Sequence, residues 1–188
     1  MMTALLAFVE THPFPRLGPA NRVTIIRALL VALAAALIGE PVTPRVAGAA
    51  VAAGTVVALL DGVDGWLARR SRMASAFGGR FDMETDALLI MVLSVLVWQH
   101  DKAGAWILAA GLMRYAFVAA GWMLPWMAGP LTPTRRAKTV AVVSLVGLSL
   151  ALAPFVAPPL STLVAGMTLA SLMWSFAVDV RRLWRQRT

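Results

Sequence analysis

Asp61, Asp64, Asp82 and Asp86 fall within one 26-residue window of a chain that has only nine acidic residues. Asp61 and Asp64 are three residues apart and Asp82 and Asp86 four apart, so on helices each pair shares a face. The two pairs are separated by a short connection, which predicts antiparallel neighbouring helices with their four carboxylates converging. Four ionised carboxylates cannot crowd together without compensation: either protons or cations must be bound. Hard oxygen ligands favour magnesium, manganese or calcium over zinc. The sequence has no Cys, and its two His (His12 and His100) lie elsewhere. Two divalent ions in such a cluster would suit phosphoryl chemistry, because they can neutralise a pyrophosphate and activate an attacking oxygen. The plainer alternative is a set of helix-end charges paired with Arg69, Arg70 and Arg80.

The elements that must position this cluster are apolar. Of the 188 residues, 60% are hydrophobic and 14% charged, and the mean hydropathy is +0.76. A soluble fold of this size needs more charge to cover its surface, so the expected solvent is lipid. Six stretches approach the length that crosses a bilayer as helix. They run over Val23–Ile38, Val46–Leu67, Asp82–Trp98, Ala103–Leu124, Lys138–Val156 and Ser161–Val180. None shows the two-residue alternation of barrel strands. Residues 1–12 read as a short amphipathic helix lying in the membrane interface, ended by Pro13, Pro15 and Pro19. The expected fold is an all-α integral membrane protein: a bundle of six transmembrane helices with that short N-terminal interfacial helix, as one domain over residues 1–188.

The net charge of +8 then reports orientation. Fourteen of the 17 Lys and Arg gather on one side: Arg16, Arg22 and Arg27 at the N-terminal end of the first stretch, four between the second and third, Arg135, Arg136 and Lys138 at the start of the fifth, and four after the sixth. Arg45 and Lys102 lie in the opposite loops, and Arg114 lies inside the fourth stretch. The positive-inside rule puts the cation-rich side, both termini and the four Asp on the cytoplasmic face. With the cations serving topology, no nucleic-acid partner is expected.

The acidic window reads Asp61-Gly62-Val63-Asp64-Gly65-Trp66-Leu67-Ala68-Arg69, eight further residues, then Gly78-Gly79-Arg80-Phe81-Asp82-Met83-Glu84-Thr85-Asp86. This resembles the signature of the CDP-alcohol phosphatidyltransferase family, D-x-x-D-G-x-x-A-R, eight residues, G-x-x-x-D-x-x-x-D. All eight fixed positions match. At residue frequencies of about 5–8%, a chance match is rarer than roughly one in a billion per start position. The family's six-helix core agrees with the six stretches.

That resemblance implies a role for each matching residue. Asp61, Asp64, Asp82 and Asp86 would bind two divalent metal ions, magnesium or manganese. Asp86 would also be the general base that takes the proton of an acceptor hydroxyl. Gly65, Ala68, Arg69 and Gly78 would face the CDP-lipid. A second, shorter similarity is Asn21-x-x-Thr24-x-x-Arg27, like the start of the family's first helix, with these three residues in contact with the CDP moiety. Among the remaining cations, Arg114, Arg135, Arg136 and Lys138 are candidates to hold the acceptor, since a phosphorylated alcohol needs such groups. Asp179 is expected to pair with Arg181 and Arg182.

The resemblance implies a bacterial-type enzyme of phospholipid synthesis in the cell inner membrane, acting as a homodimer. It would transfer a phosphatidyl group from CDP-diacylglycerol to a small alcohol and release CMP, with glycerol 3-phosphate as the expected acceptor. Serine, inositol phosphate and choline stay open as acceptors. So does the reverse arrangement, in which CDP carries the alcohol and diacylglycerol accepts. A non-enzymatic carrier would account for intramembrane carboxylates, but not for the eight matched positions.

Overall fold

A computed structural model describes residues 19–71, 76–129 and 134–186, and within these the side chains of 19–21, 64–71, 76–77 and 128 are outside the description. The proposed interfacial helix over residues 1–12 also lies outside the described residues. Among the described residues every regular element is a helix, with no strand. The six helices are α1 (Pro19–Ala35), α2 (Pro44–Ser71), α3 (Ala76–Gln99), α4 (Leu108–Met123), α5 (Arg135–Leu152) and α6 (Leu160–Gln186). Short 3₁₀ turns over Ala105–Ile107 and Pro125–Ala128 flank α4.

Each helix falls on one expected stretch, and the differences have local causes. α1 stops at Ala35, three residues early, and unwinds through turns with Leu37 N–H donating to Ala34 O and Ile38 N–H to Ala35 O. The exit is taken by Gly39 at φ +89°, a conformation open to glycine. α2 starts sharply because the Thr43 hydroxyl accepts from Val46 N–H and Pro44 needs no donor partner. α5 ends at Leu152 rather than Val156, since Ala153 precedes Pro154 and a residue before proline is pushed out of the helical region. α6 continues past Val180 to Gln186, carrying Arg181, Arg182 and Arg185 with it.

Three segments are long and apolar enough to cross a membrane: Pro44–Val63, Ala105–Met123 and Leu160–Gln186. The other three helices fall short for stated reasons. α1 has 17 residues. α3 carries Arg80, Asp82, Glu84 and Asp86 near its start, and α5 opens with Arg135, Arg136 and Lys138.

α3 is the hub and touches α1, α2, α4 and α5, while α1 packs on α2 and α5 on α6. Leu89, Leu93, Leu96 and Val97 of α3 meet Val31, Val57, Ile107 and Leu148 in one buried core. Neighbouring helices approach a glycine closely at two points. A Cβ on Gly111 would lie 2.6 Å from Met91 Cα, and one on Gly147 would lie 2.1 Å from Thr168 Oγ1. Two fully buried hydroxyls in the core satisfy themselves on their own helix, Ser94 on Ile90 O and Ser144 on Val140 O.

The end of the bundle away from the acidic cluster is closed by Lys102. Its ammonium donates to Ala153 O and Val156 O just past α5, and its carbonyl accepts from the Ser161 and Thr162 hydroxyls at the start of α6. Asp101 before it takes φ +54° and lets the chain reverse after α3. This lysine, which the sequence placed in an outer loop, joins three helix ends.

Candidate active site

α1, α2 and α3 bring Arg27, Asp61, Asp82 and Asp86 to one point. One carboxylate oxygen from each Asp lies within 4.8 Å of the others. The side chains are 13%, 34% and 22% exposed for Asp61, Asp82 and Asp86, so the cluster is sheltered but open on one side. Asp82 and Asp86 share one face of α3, as their spacing requires. Asp61 reaches them from the last third of α2. Asp64 is one helical turn further along α2, and its side chain lies outside the described residues, as do those of Asn21, Gly65, Ala68 and Arg69.

Arg27 is the cation at the centre. Its side chain has no solvent exposure, and its guanidinium bonds Asp82 through Nη1, and Asp86 and Asp61 through Nη2. The Asp61 contact is 3.2 Å. Thr24, one turn before it, is buried on the same face of α1. Lys138 of α5 approaches from the other side, its Nζ 3.8 Å from Asp61 Oδ2, with its side chain 63% exposed. The cluster is thus paired with Arg27 and Lys138, two partners that the sequence reading did not assign to it. Gly78 sits half-buried in the first turn of α3.

The other cations divide. Arg136 bonds Asp179 and donates to Ser175 O and Oγ, with its guanidinium 5.6 Å from the Trp174 ring centre. Asp179 therefore pairs with Arg136 on α5, where Arg181 and Arg182 had been expected. Arg114 donates to Glu84 Oε1 at 2.5 Å. Glu84 is two residues from both Asp82 and Asp86, about 200° around α3, so Arg114 stands on the far side of that helix from the triad. There it lines a pocket of about 230 Å³ with Phe117, Val118, Gly121, Trp122 and Met127. Arg135 is exposed at the start of α5. Three cations in the first turns of α5 oppose the helix dipole, which favours anions at that end. Asp179 and Asp61 compensate two of them.

The donor set fits a divalent ion. Three hard carboxylate oxygens converge, and ligands on one magnesium lie about 3–4 Å apart, only slightly closer than the triad's spread. Such a cluster beside exposed Lys138 can bind a metal–phosphate ligand.

The family model for CDP-alcohol phosphatidyltransferases matches residues 18–179. The chain belongs to this family. It is a transferase, of a class that moves phosphatidyl or phospho-alcohol groups from CDP-alcohols and typically uses a divalent metal. The matched span takes in α1 to α5 and most of α6, and therefore every residue of the triad. Its apolar helices are those of an integral membrane protein. No curated protein sequence matches the chain.

Proposed function

We propose that this transferase moves a phosphatidyl group from CDP-diacylglycerol to a small alcohol, with glycerol 3-phosphate the best candidate acceptor, and releases CMP. The observation that carries this reading is the convergence of Asp61, Asp82 and Asp86 in a member of this family. Asp61, Asp64, Asp82 and Asp86 would hold two divalent ions, magnesium or manganese. What such ions supply is neutralisation of the pyrophosphate and of the departing phosphate.

The chain's own residues do the rest. Asp86 accepts the proton of the acceptor hydroxyl. The hydroxyl oxygen forms a bond to the β-phosphorus, and the bond from that phosphorus to the bridging oxygen breaks, so that CMP leaves with the bridging oxygen. Asn21, Thr24, Gly65, Ala68, Arg69 and Gly78 are read as the wall facing the CDP group. Lys138 and Arg135 are the cations placed to hold an acceptor phosphate, because Lys138 stands beside Asp61 and both are exposed. Arg114 and Arg136, also candidates, are engaged by Glu84 and Asp179.

The same reading gives six spans in the inner membrane, with the active site and both termini cytoplasmic, and a homodimer. The segregation of cations among the loops supports the orientation, and C-terminal reporter fusions test it: an external C-terminus overturns it. The decisive assay is CMP release by purified protein from CDP-diacylglycerol with a panel of alcohols. Metal-dependent release with one acceptor supports the reading. No release above an Asp86→Asn control for any acceptor overturns it. Release only from a CDP-alcohol with diacylglycerol would reverse the direction.

A further inference from the structure

Arg27 is fully buried, and its two terminal nitrogens are bonded to the carboxylates of Asp82, Asp86 and Asp61. Among the described residues, these are the three whose oxygens converge closely enough to hold a metal ion. We infer that Arg27 is a resident counter-cation of the triad, which competes with a divalent ion for the same oxygens and yields them when the ion binds. The inference rests on the metal reading above and adds a cost and a control to it.

The physical case has three parts. First, three partly buried carboxylates repel one another, and a guanidinium compensates them well because its planar fork serves several oxygens at once. Lys138 cannot do this, since it stands 3.8 Å from one oxygen and is mostly exposed. Second, Arg27 Nη1 and Nη2 take Asp82 Oδ1, Asp86 Oδ1 and Asp61 Oδ1, so an ion drawing on these atoms meets a fixed positive charge at ligand distance. Third, α1, α2 and α3 each contribute to the knot, so Arg27 ties three helices at the point where an ion would otherwise be needed to do so. Metal binding must replace those contacts, and the measured affinity is reduced by what they are worth. Once displaced, the guanidinium keeps its charge within reach of any anion bound there.

A residue that only touched the nucleotide, or only packed, would not set metal affinity in this way. The test uses the purified full chain in detergent, without substrate, titrated with Mn²⁺ and read by electron paramagnetic resonance, for wild type, Arg27→Gln, Arg27→Met and an Asp82→Asn control. Both Arg27 variants should bind Mn²⁺ about tenfold or more tighter, the scale of losing charge-assisted hydrogen bonds. They should also melt earlier in metal-free buffer and gain more in melting temperature on adding Mn²⁺. Equal or weaker Mn²⁺ binding by the variants overturns the inference and leaves the metal reading standing. If no protein in the set binds Mn²⁺ in a manner that Asp82→Asn removes, both readings fall. Should the variants not fold, phenylglyoxal labelling of the wild type, mapped to Arg27 by mass spectrometry, gives a second readout. Faster labelling with Mn²⁺ supports displacement, and an unchanged rate overturns it.

Discussion

Glu84 and Asp86 are two residues apart on α3, and they serve opposite sides of it: Asp86 bonds Arg27 of α1, and Glu84 bonds Arg114 of α4. About half a turn of helix thus separates an acid in the proposed reaction centre from an acid in an interhelical tie. Asp86→Asn should lower the rate of CMP release by about 10²–10⁴-fold, the usual worth of a general base. Glu84→Gln, which keeps shape and loses charge, should change it by no more than a few-fold. Initial rates measured side by side check this, and comparable losses in the two variants would sink the division of roles.

Asp61 binds neither substrate nor proton in the proposed scheme, so its loss should be read in metal affinity. Asp61→Asn should weaken Mn²⁺ binding and raise the metal concentration that gives half-maximal CMP release. Chelation should abolish release by the wild type, and added magnesium should restore it. Unchanged affinity in Asp61→Asn removes it from the ligand set.

Lys138 and Arg136 lie two residues apart at the start of α5 and are predicted to fail differently. Lys138→Met should raise the KM for a phosphorylated acceptor by about 10–100-fold, the scale of one charge-assisted contact, with little change in melting temperature. Arg136→Ala leaves Asp179 uncompensated in a half-buried position and should destabilise the protein by about 1–3 kcal/mol. Kinetics and thermal unfolding on the same preparations separate the two. A KM effect confined to Arg136 would reassign the acceptor site.

His100 follows the last turn of α3, and its Nε2 is buried without a hydrogen-bond partner. Burial, and then the nearby Lys102, hold its pKa below the usual histidine value, against a smaller opposing pull from Asp101. The folded protein therefore keeps His100 neutral at a pH where the unfolded chain, titrating near about 6.5, takes up a proton. The stability it contributes is full above that pH and declines as pH falls through it. Melting temperatures across mildly acidic to neutral pH should drop on the acid side, and His100→Gln should flatten the drop. An equal slope in the variant would show that other groups cause it.

Gly111 packs its backbone on Met91, so Gly111→Ala forces α4 away from α3 and should cost about 1–3 kcal/mol. Gly62→Ala is the control, since a Cβ there meets nothing within 4 Å. Equal melting temperatures for the two variants would contradict the close approach.

Helix positions and the acidic pairs were legible in the sequence because both are local properties. Runs of apolar residues end near Gly39, near Pro158 and at the loop cations, and carboxylate spacings of three and four residues state a shared face directly. Cross-helix partners were not legible. They depend on how each helix is rotated about its axis, and α1 and α3 are apolar on nearly all sides, so no contrast of polar and apolar faces fixes that rotation. Hence Arg27 was read as a contact for the CDP moiety, and Arg114 and Arg136 as candidates to hold the acceptor, without the carboxylates they pair with. Glu84 held a usable signal. An acid two residues from each of two clustered Asp must point away from them and needs a cation elsewhere, and Arg114 was the cation inside a stretch otherwise free of charge. Asp179 went to Arg136 because α5 and α6 pack together, whereas Arg181, two residues on, faces away from it and Arg182, three residues on, is exposed.

The three segments that qualify as spans on composition lie in α2, α4 and α6, each directly following a helix that is short or carries charge. On the six-span reading this alternation bears on biogenesis. Every weak segment emerges from the ribosome just before a strong one, so insertion would proceed as three helical hairpins, each carried into the bilayer by its second member. Arg27 and Asp82 would then enter the membrane in separate hairpins and find each other only once the second is in place.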